Sequence, residues 1–155
     1  MMKIVKLIVG PMASNCYIAW DEDTKDAVII DPGFEDDRIM ETVEKHGLKV
    51  GKILLTHGHF DHIGGLEKTK AQTGAKVYIY ADDADTLTSA GKNLSTMVGQ
   101  PMNPGPADVL LRDGDEVEIS PNIKLTTIHT PGHTVGSCCF VGEDVIFSGD
   151  TLFEG

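Results

Sequence analysis

Residues 56–62 read Thr56-His57-Gly58-His59-Phe60-Asp61-His62, which puts three imidazoles and one carboxylate within six positions. The apolar run Ile53-Leu54-Leu55 precedes them and Gly64-Gly65 follows. The run predicts a buried strand, and the glycines predict a tight exit into a helix. The end of a packed strand seldom carries so many ionisable groups unless something binds them. Neutral imidazole nitrogen and carboxylate oxygen are the donors that suit zinc, iron or manganese. Half of the chain's six histidines lie in this one stretch, which favours a metal-binding loop over a polar loop that happens to contain histidine.

Outward from this stretch the pattern is mixed. Residues 3–9 and 16–20 and the run Ala27-Val28-Ile29-Ile30 predict strands, the last ending at the turn signal Asp31-Pro32-Gly33. From about Asp36 to His46, Ile39, Met40 and Val43 recur at helical spacing, and Gly47 stands where a helix stop is expected. Residues 64–73 and 82–90 predict further helices, with Val77-Tyr78-Ile79-Tyr80 as a strand between them. Residues 91–107 carry Gly, Pro, Asn and Ser with little periodicity and predict a long surface loop, where substrate contacts often lie. Residues 109–111, 117–119, 124–129, 137–141 and 144–147 then predict short strands broken by turns. Strand–helix units followed by a run of strands suggest two packed sheets with helices outside.

Two later segments repeat the arrangement of an apolar strand ending in a polar turn. Residues 124–129 lead into Thr130-Pro131-Gly132-His133-Thr134, and Val145-Ile146-Phe147 leads into Ser148-Gly149-Asp150-Thr151. With Asp31, four strand ends present a histidine or an acid, and ligands at strand ends are held rigidly while facing an open cleft.

Composition bounds the rest. The 155 residues allow one domain, and 41% hydrophobic with 24% charged residues is ordinary for a globular protein. A net charge of −11 argues against nucleic acid as a partner, because phosphate binding needs a basic face. No apolar stretch is long enough to cross a membrane, and the lysine-threaded opening reads as a first strand, not a signal peptide. Cys16, Cys138 and Cys139 lack metal-finger spacing and read as free thiols, which fits a reducing cytoplasm. Adjacent in a strand, Cys138 and Cys139 should face opposite sides of a sheet.

Taken in order, Asn15-Cys16-Tyr17, Ile30-Asp31-Pro32-Gly33, residues 56–65, residues 130–134 and Phe147-Ser148-Gly149-Asp150-Thr151-Leu152-Phe153 cover nearly the whole chain. In these segments it resembles the metallo-β-lactamase-fold hydrolases, most of all the glyoxalase II-like branch of hydroxyacylglutathione hydrolases and their smaller relatives. The resemblance implies an α/β protein, a four-layer αββα sandwich, with residues 1–155 as a single domain. It also implies two divalent metal ions, zinc first, with iron or manganese as alternatives. His57, His59 and His133 would hold one ion, Asp61 and His62 the second, and Asp150 would bridge them. Asp31 would orient a histidine without itself touching metal.

Two such cations lower the pKa of a bridging water towards neutrality, and the resulting hydroxide attacks a carbonyl that one metal polarises. Asp61 would be the catalytic residue that orients that hydroxide. The implied reaction is cleavage of a thioester or similar small acyl substrate. The alternatives are a persulfide dioxygenase-like enzyme, with one iron on His57, His133 and Asp150, and an inactive fragment that binds metal. The family pattern carries a further histidine after the bridging aspartate, together with closing strands and helices. This chain reaches only five residues past Asp150, so the domain is expected to be incomplete at its C-terminus, its second metal position short of one ligand and its turnover in question. Oligomeric state is left open by these patterns.

Overall fold

The computed structural model describes residues 1–131, 134–148 and 152–154, the last three by their backbone. A first sheet is built from β1 (Met2–Val9), β2 (Ser14–Asp21), β3 (Asp26–Ile30), β4 (Lys49–Leu54), β5 (Lys76–Tyr80) and β6 (Val109–Leu111), in that spatial order. β1, β2 and β3 pair antiparallel, whereas β3 to β6 run parallel. The parallel steps need crossovers. These are α1 (Asp37–His46), the pair α2 (Phe60–Ile63) and α3 (Leu66–Thr73), and a 3₁₀ turn at Ala81–Thr88. A second, antiparallel sheet follows from β7 (Glu116–Ser120), β8 (Ile123–His129), β9 (Cys138–Val141), β10 (Val145–Phe147) and β11 (Leu152–Glu154).

Within the first sheet β2 and β3 are buried on both faces and read accordingly as apolar runs, whereas β1 alternates with exposed lysines. Cys16, Ile18, Trp20, Ala27, Ile29, Ile53, Val77 and Ile79 pack with Ile39 and Val43 of α1 and Leu66 of α3. Their neighbours Tyr17, Ala19, Val28, Ile30, Leu54 and Tyr80 meet Val117, Leu125, Cys138, Phe140, Val145 and Phe147 of the second sheet. This is the α/β, αββα-type sandwich expected from the sequence, with helix, sheet and sheet layers in view. Ile128 and Ile146 are exposed on the far side of the second sheet. Cys138 is buried between the sheets and Cys139 only half-buried, as alternation requires. Among the described residues no helix is long and apolar enough to cross a membrane.

α1 agrees closely with its sequence signals. Asp36 caps it, accepting from the Arg38 N–H, and Gly47 closes it in the left-handed region with its N–H donated back to Glu44 and Val43. The helix expected over 64–73 is there as α3, Leu66–Thr73, and a short helix that was not expected, α2, precedes it inside the histidine stretch. Two expectations need correction. The helix expected over 82–90 is a 3₁₀ turn, Ala81–Thr88. The 91–107 segment is more than a surface loop: it holds a second 3₁₀ turn, Ser95–Val98, and buries Asn93 and Ser95. Asn93 explains this, since its amide donates to the carbonyls of Thr86 and Met102 while its own oxygen accepts from the Ser95 N–H.

Candidate metal centre

The parallel strands β3 and β4 end side by side, and the candidate site begins there. In parallel sheets the carboxyl ends of strands are the usual place for a ligand. Asp31 follows β3 and is fully buried. Its backbone is left-handed, φ 53°, a conformation that aspartate tolerates better than most residues and that persists only where the surroundings over-determine it. Here they do. The Asp31 N–H donates to the Leu54 carbonyl at 3.0 Å. One carboxylate oxygen accepts from the Thr56 N–H at 2.8 Å, and the other accepts from the Thr56 hydroxyl at 2.5 Å and from His62 Nδ1 at 3.0 Å.

This network assigns the protons of two histidines. A carboxylate only accepts, so His62 Nδ1 carries hydrogen, which in the neutral ring puts the lone pair on Nε2. The single Thr56 hydroxyl hydrogen goes to Asp31, so towards His57 Nδ1, 3.3 Å away, the Thr56 oxygen is the acceptor. His57 Nδ1 then also carries hydrogen, and its Nε2 bears the lone pair. Asp31 thus sets the tautomer of His62 directly and of His57 through Thr56. That is how a carboxylate prepares imidazole for a metal.

The rings of His57 and His62 lie 3.9 Å apart, and both side chains are buried. His62 Nε2 stands 3.5 Å from an Asp61 carboxylate oxygen. One donor atom from each of His57, Asp61 and His62 lies within 4.8 Å of the others. With the His62 ring neutral, its Nε2 lone pair and the Asp61 carboxylate stand close enough to share one cation. The donor set, two imidazoles and a carboxylate, fits a divalent transition metal.

Of the other residues expected at the site, His59 stands beside this trio but outside it, its ring 5.3 Å from that of His57 and nearly perpendicular. His133 and Asp150 lie outside the described residues. Burial first, then the negative charge of Asp31, pushes the Cys16 and Cys138 thiols well up, so both are protonated packing groups. Beside Asp61 opens a cleft of about 230 Å³, walled mainly by Met12, Phe34, Phe60, Val98 and Met102.

The glycines of the stretch have a different purpose from the one the sequence suggested. Gly64 and Gly65 have ordinary negative φ. A Cβ on Gly64 would strike the Gly33 carbonyl, one on Gly65 the Phe34 carbonyl, and one on Gly33 the Asp61 carbonyl. The three glycines let the 31–34 turn lie directly on α2, which brings Asp31 within reach of His62. Sequence reading missed Asp83. It stands in the acidic run Ala81-Asp82-Asp83-Ala84-Asp85, where nothing local distinguishes it from its exposed neighbours Asp82 and Asp85, yet it is buried and accepts from the Gly58 N–H at 2.9 Å.

Comparison with known proteins agrees with this fold. Residues 9–155 match the metallo-beta-lactamase superfamily. A Bacillus subtilis protein described as "Probable metallo-hydrolase YqgX" is 37% identical over 99% of this chain and 73% of its own length. The hydroxyacylglutathione hydrolase GloC of Haemophilus influenzae is 32% identical over 99% of this chain and 74% of its own. Among solved structures, the BLEG-1 B3 metallo-beta-lactamase superposes with a TM-score of 0.86 at 31% identity, over 94% of this chain and 71% of that one. TTHA1623 in a di-iron-bound form superposes at 0.77 with 30% identity, over 97% and 74%. On its two packed sheets and these matches, the chain belongs to the metallo-beta-lactamase superfamily.

Proposed function

We propose that this protein is a metal-dependent hydrolase of the hydroxyacylglutathione hydrolase type, cleaving a thioester or a similar small acyl substrate. The observation that carries the reading is the Asp31–Thr56 network, which presents the acceptor nitrogens of two buried histidines next to Asp61. His57, Asp61 and His62 would hold metal, with His59 beside them. His133 and Asp150 join the set by the family resemblance. Two divalent ions are proposed, most simply zinc, with iron supported by the di-iron relative and manganese compatible with the donors.

Bound metal supplies a Lewis acid and brings the pKa of water towards neutrality. The chain's own groups do the rest. Asp61 accepts a hydrogen bond from the attacking water and aims its lone pair at the acyl carbon. Water oxygen bonds to that carbon, the carbon–sulfur bond breaks, and the thiolate leaves and takes up the proton. Phe34, Phe60 and Met102 in the cleft beside Asp61 give a small acyl group an apolar seat. The charge of −11 supports a small-molecule substrate and speaks against nucleic acid. Three free cysteines support a reducing, cytoplasmic setting.

The test is hydrolysis of S-lactoylglutathione and of simple acyl thioesters by protein loaded with zinc or iron, against chelator-treated protein. Metal-dependent thiol release supports the proposal. A chain that binds metal yet opens no thioester, lactone or β-lactam contradicts it. Oxygen uptake with glutathione persulfide on a single bound iron would replace it with the dioxygenase reading.

A further inference from the structure

We infer that Asp83 is a positioning residue for the metal centre, fixing the histidine loop at Gly58 to the turn at residues 134–136; the inference rests on the metal-centre reading above. The Asp83 side chain reaches out of its own 3₁₀ turn to two other segments. One carboxylate oxygen accepts from the Gly58 N–H at 2.9 Å and from the Thr134 hydroxyl at 2.7 Å, and the other accepts from the Gly136 N–H at 2.9 Å. Gly58 lies between His57 and His59, and Thr134 follows His133 in the chain. One buried carboxylate therefore ties together the two segments that supply the three histidines expected at a single metal position.

Each end of the tie is itself held. The lone Thr134 hydroxyl hydrogen goes to Asp83, so the Ser137 hydroxyl must donate to Thr134, at 2.8 Å, while accepting from the Thr134 N–H at 2.9 Å. His129 Nε2 donates to the Val135 carbonyl at 2.8 Å, with its ring stacked on Tyr80. On the other side, Thr86 covers Gly58 so closely that a Cβ there would fall on the Thr86 hydroxyl. The Phe60 N–H donates to the Asn93 carbonyl at 2.8 Å. A buried carboxylate satisfied by neutral donors alone is a costly way to join two loops, and apolar packing would do that more cheaply. What the carboxylate adds is direction and spacing, which metal ligands need to within a fraction of an ångström.

The experiment uses the 155-residue chain, stripped with chelator and titrated with cobalt(II) followed by its visible spectrum. Zinc affinity is read by competition with a chromophoric chelator, and melting of the metal-free proteins is recorded alongside. Asp83→Asn should lower metal affinity by roughly 10- to 100-fold, the usual effect of removing a group that orients metal ligands, and should alter the cobalt spectrum. Thr134→Val should lose a smaller part of the affinity and Thr134→Ser should restore it. If Asp83→Asn does not fold, the Thr134 pair decides. Wild-type affinity and spectrum in Asp83→Asn and Thr134→Val, even with a lower melting temperature, would overturn the positioning role alone. A wild-type chain that takes up neither cobalt nor zinc would overturn the metal-centre reading and Asp83's role with it.

Discussion

Two buried carboxylates flank the histidine stretch, and they hold it in different ways. Asp31 reaches an imidazole, accepting from His62 directly and governing His57 through Thr56. Asp83 instead accepts from two backbone N–H groups and one hydroxyl, on segments far apart in sequence. The first side therefore controls which nitrogen of each ring carries the lone pair. The second controls how far apart the loops stand. A site assembled from strand ends needs both, since a correctly protonated ring in the wrong place binds metal as poorly as a well-placed ring with the wrong tautomer.

The largest expected effect is on the Asp31 side. Asp31→Ala leaves the Thr56 N–H and His62 Nδ1–H buried without their acceptor, at roughly 1–3 kcal/mol each, and puts alanine at φ 53°. Chemical denaturation should show a loss of at least about 3 kcal/mol, and metal uptake should fail. A stable Asp31→Ala that binds zinc normally would collapse the distinction between the two sides.

Next come two glycines, one on each side. A Cβ on Gly33 would meet the Asp61 carbonyl, and one on Gly136 would meet the Asp83 N–H and carboxylate, its oxygen at 2.7 Å. Overpacking of this kind costs about 1–3 kcal/mol. Gly33→Ala should move α2 and so disturb Asp61 and His62, whereas Gly136→Ala should act on the Asp83 tie. Cobalt spectra that change in the same manner for both variants would argue against separate roles.

Ser137→Ala removes one donor to Thr134 and should cost about 1 kcal/mol, with a correspondingly small change in zinc affinity. Asp21, a third buried carboxylate remote from the histidines, is the control. The Ser120 hydroxyl, at 2.6 Å, is the main cause that holds its carboxyl below the usual carboxylate range, with the Asp23 N–H next. Its folded value lies below its unfolded one, so the unfolded chain binds the extra proton first on acidification. Its contribution to stability is complete above about pH 4, the ordinary aspartate range, and is lost as pH falls through the lowered folded value. Asp21→Asn should flatten that part of an acid-unfolding profile and leave metal affinity at neutral pH unchanged. A change in metal affinity would mean that the two sheets couple more tightly than their separate hydrogen bonds suggest.

Much of this was legible in the sequence because it is written in local patterns. The inner strands β2 and β3 are apolar runs, α1 has its Asp36 cap and Gly47 stop, and the histidine stretch carries its chemistry in adjacent residues. What escaped depends on contacts across the chain. The 64–65 glycines read as a turn, but their reason is the 32–34 backbone lying where a side chain would be. The 91–107 segment read as loop, because the carbonyls of Thr86 and Met102 that take up the Asn93 amide are brought near it only by folding. Asp83 looked like one acid in a solvated run, since its partners lie 25 to 53 residues away.

The central claim is that His57, Asp61 and His62 form a metal centre prepared by Asp31. Its most direct test is calorimetric titration of zinc into the chelator-stripped protein, beside His62→Ala shown to be folded by circular dichroism. The account predicts stoichiometric, saturable uptake by the wild type and its loss in the variant. Equal uptake by both, or none by the wild type, would contradict it.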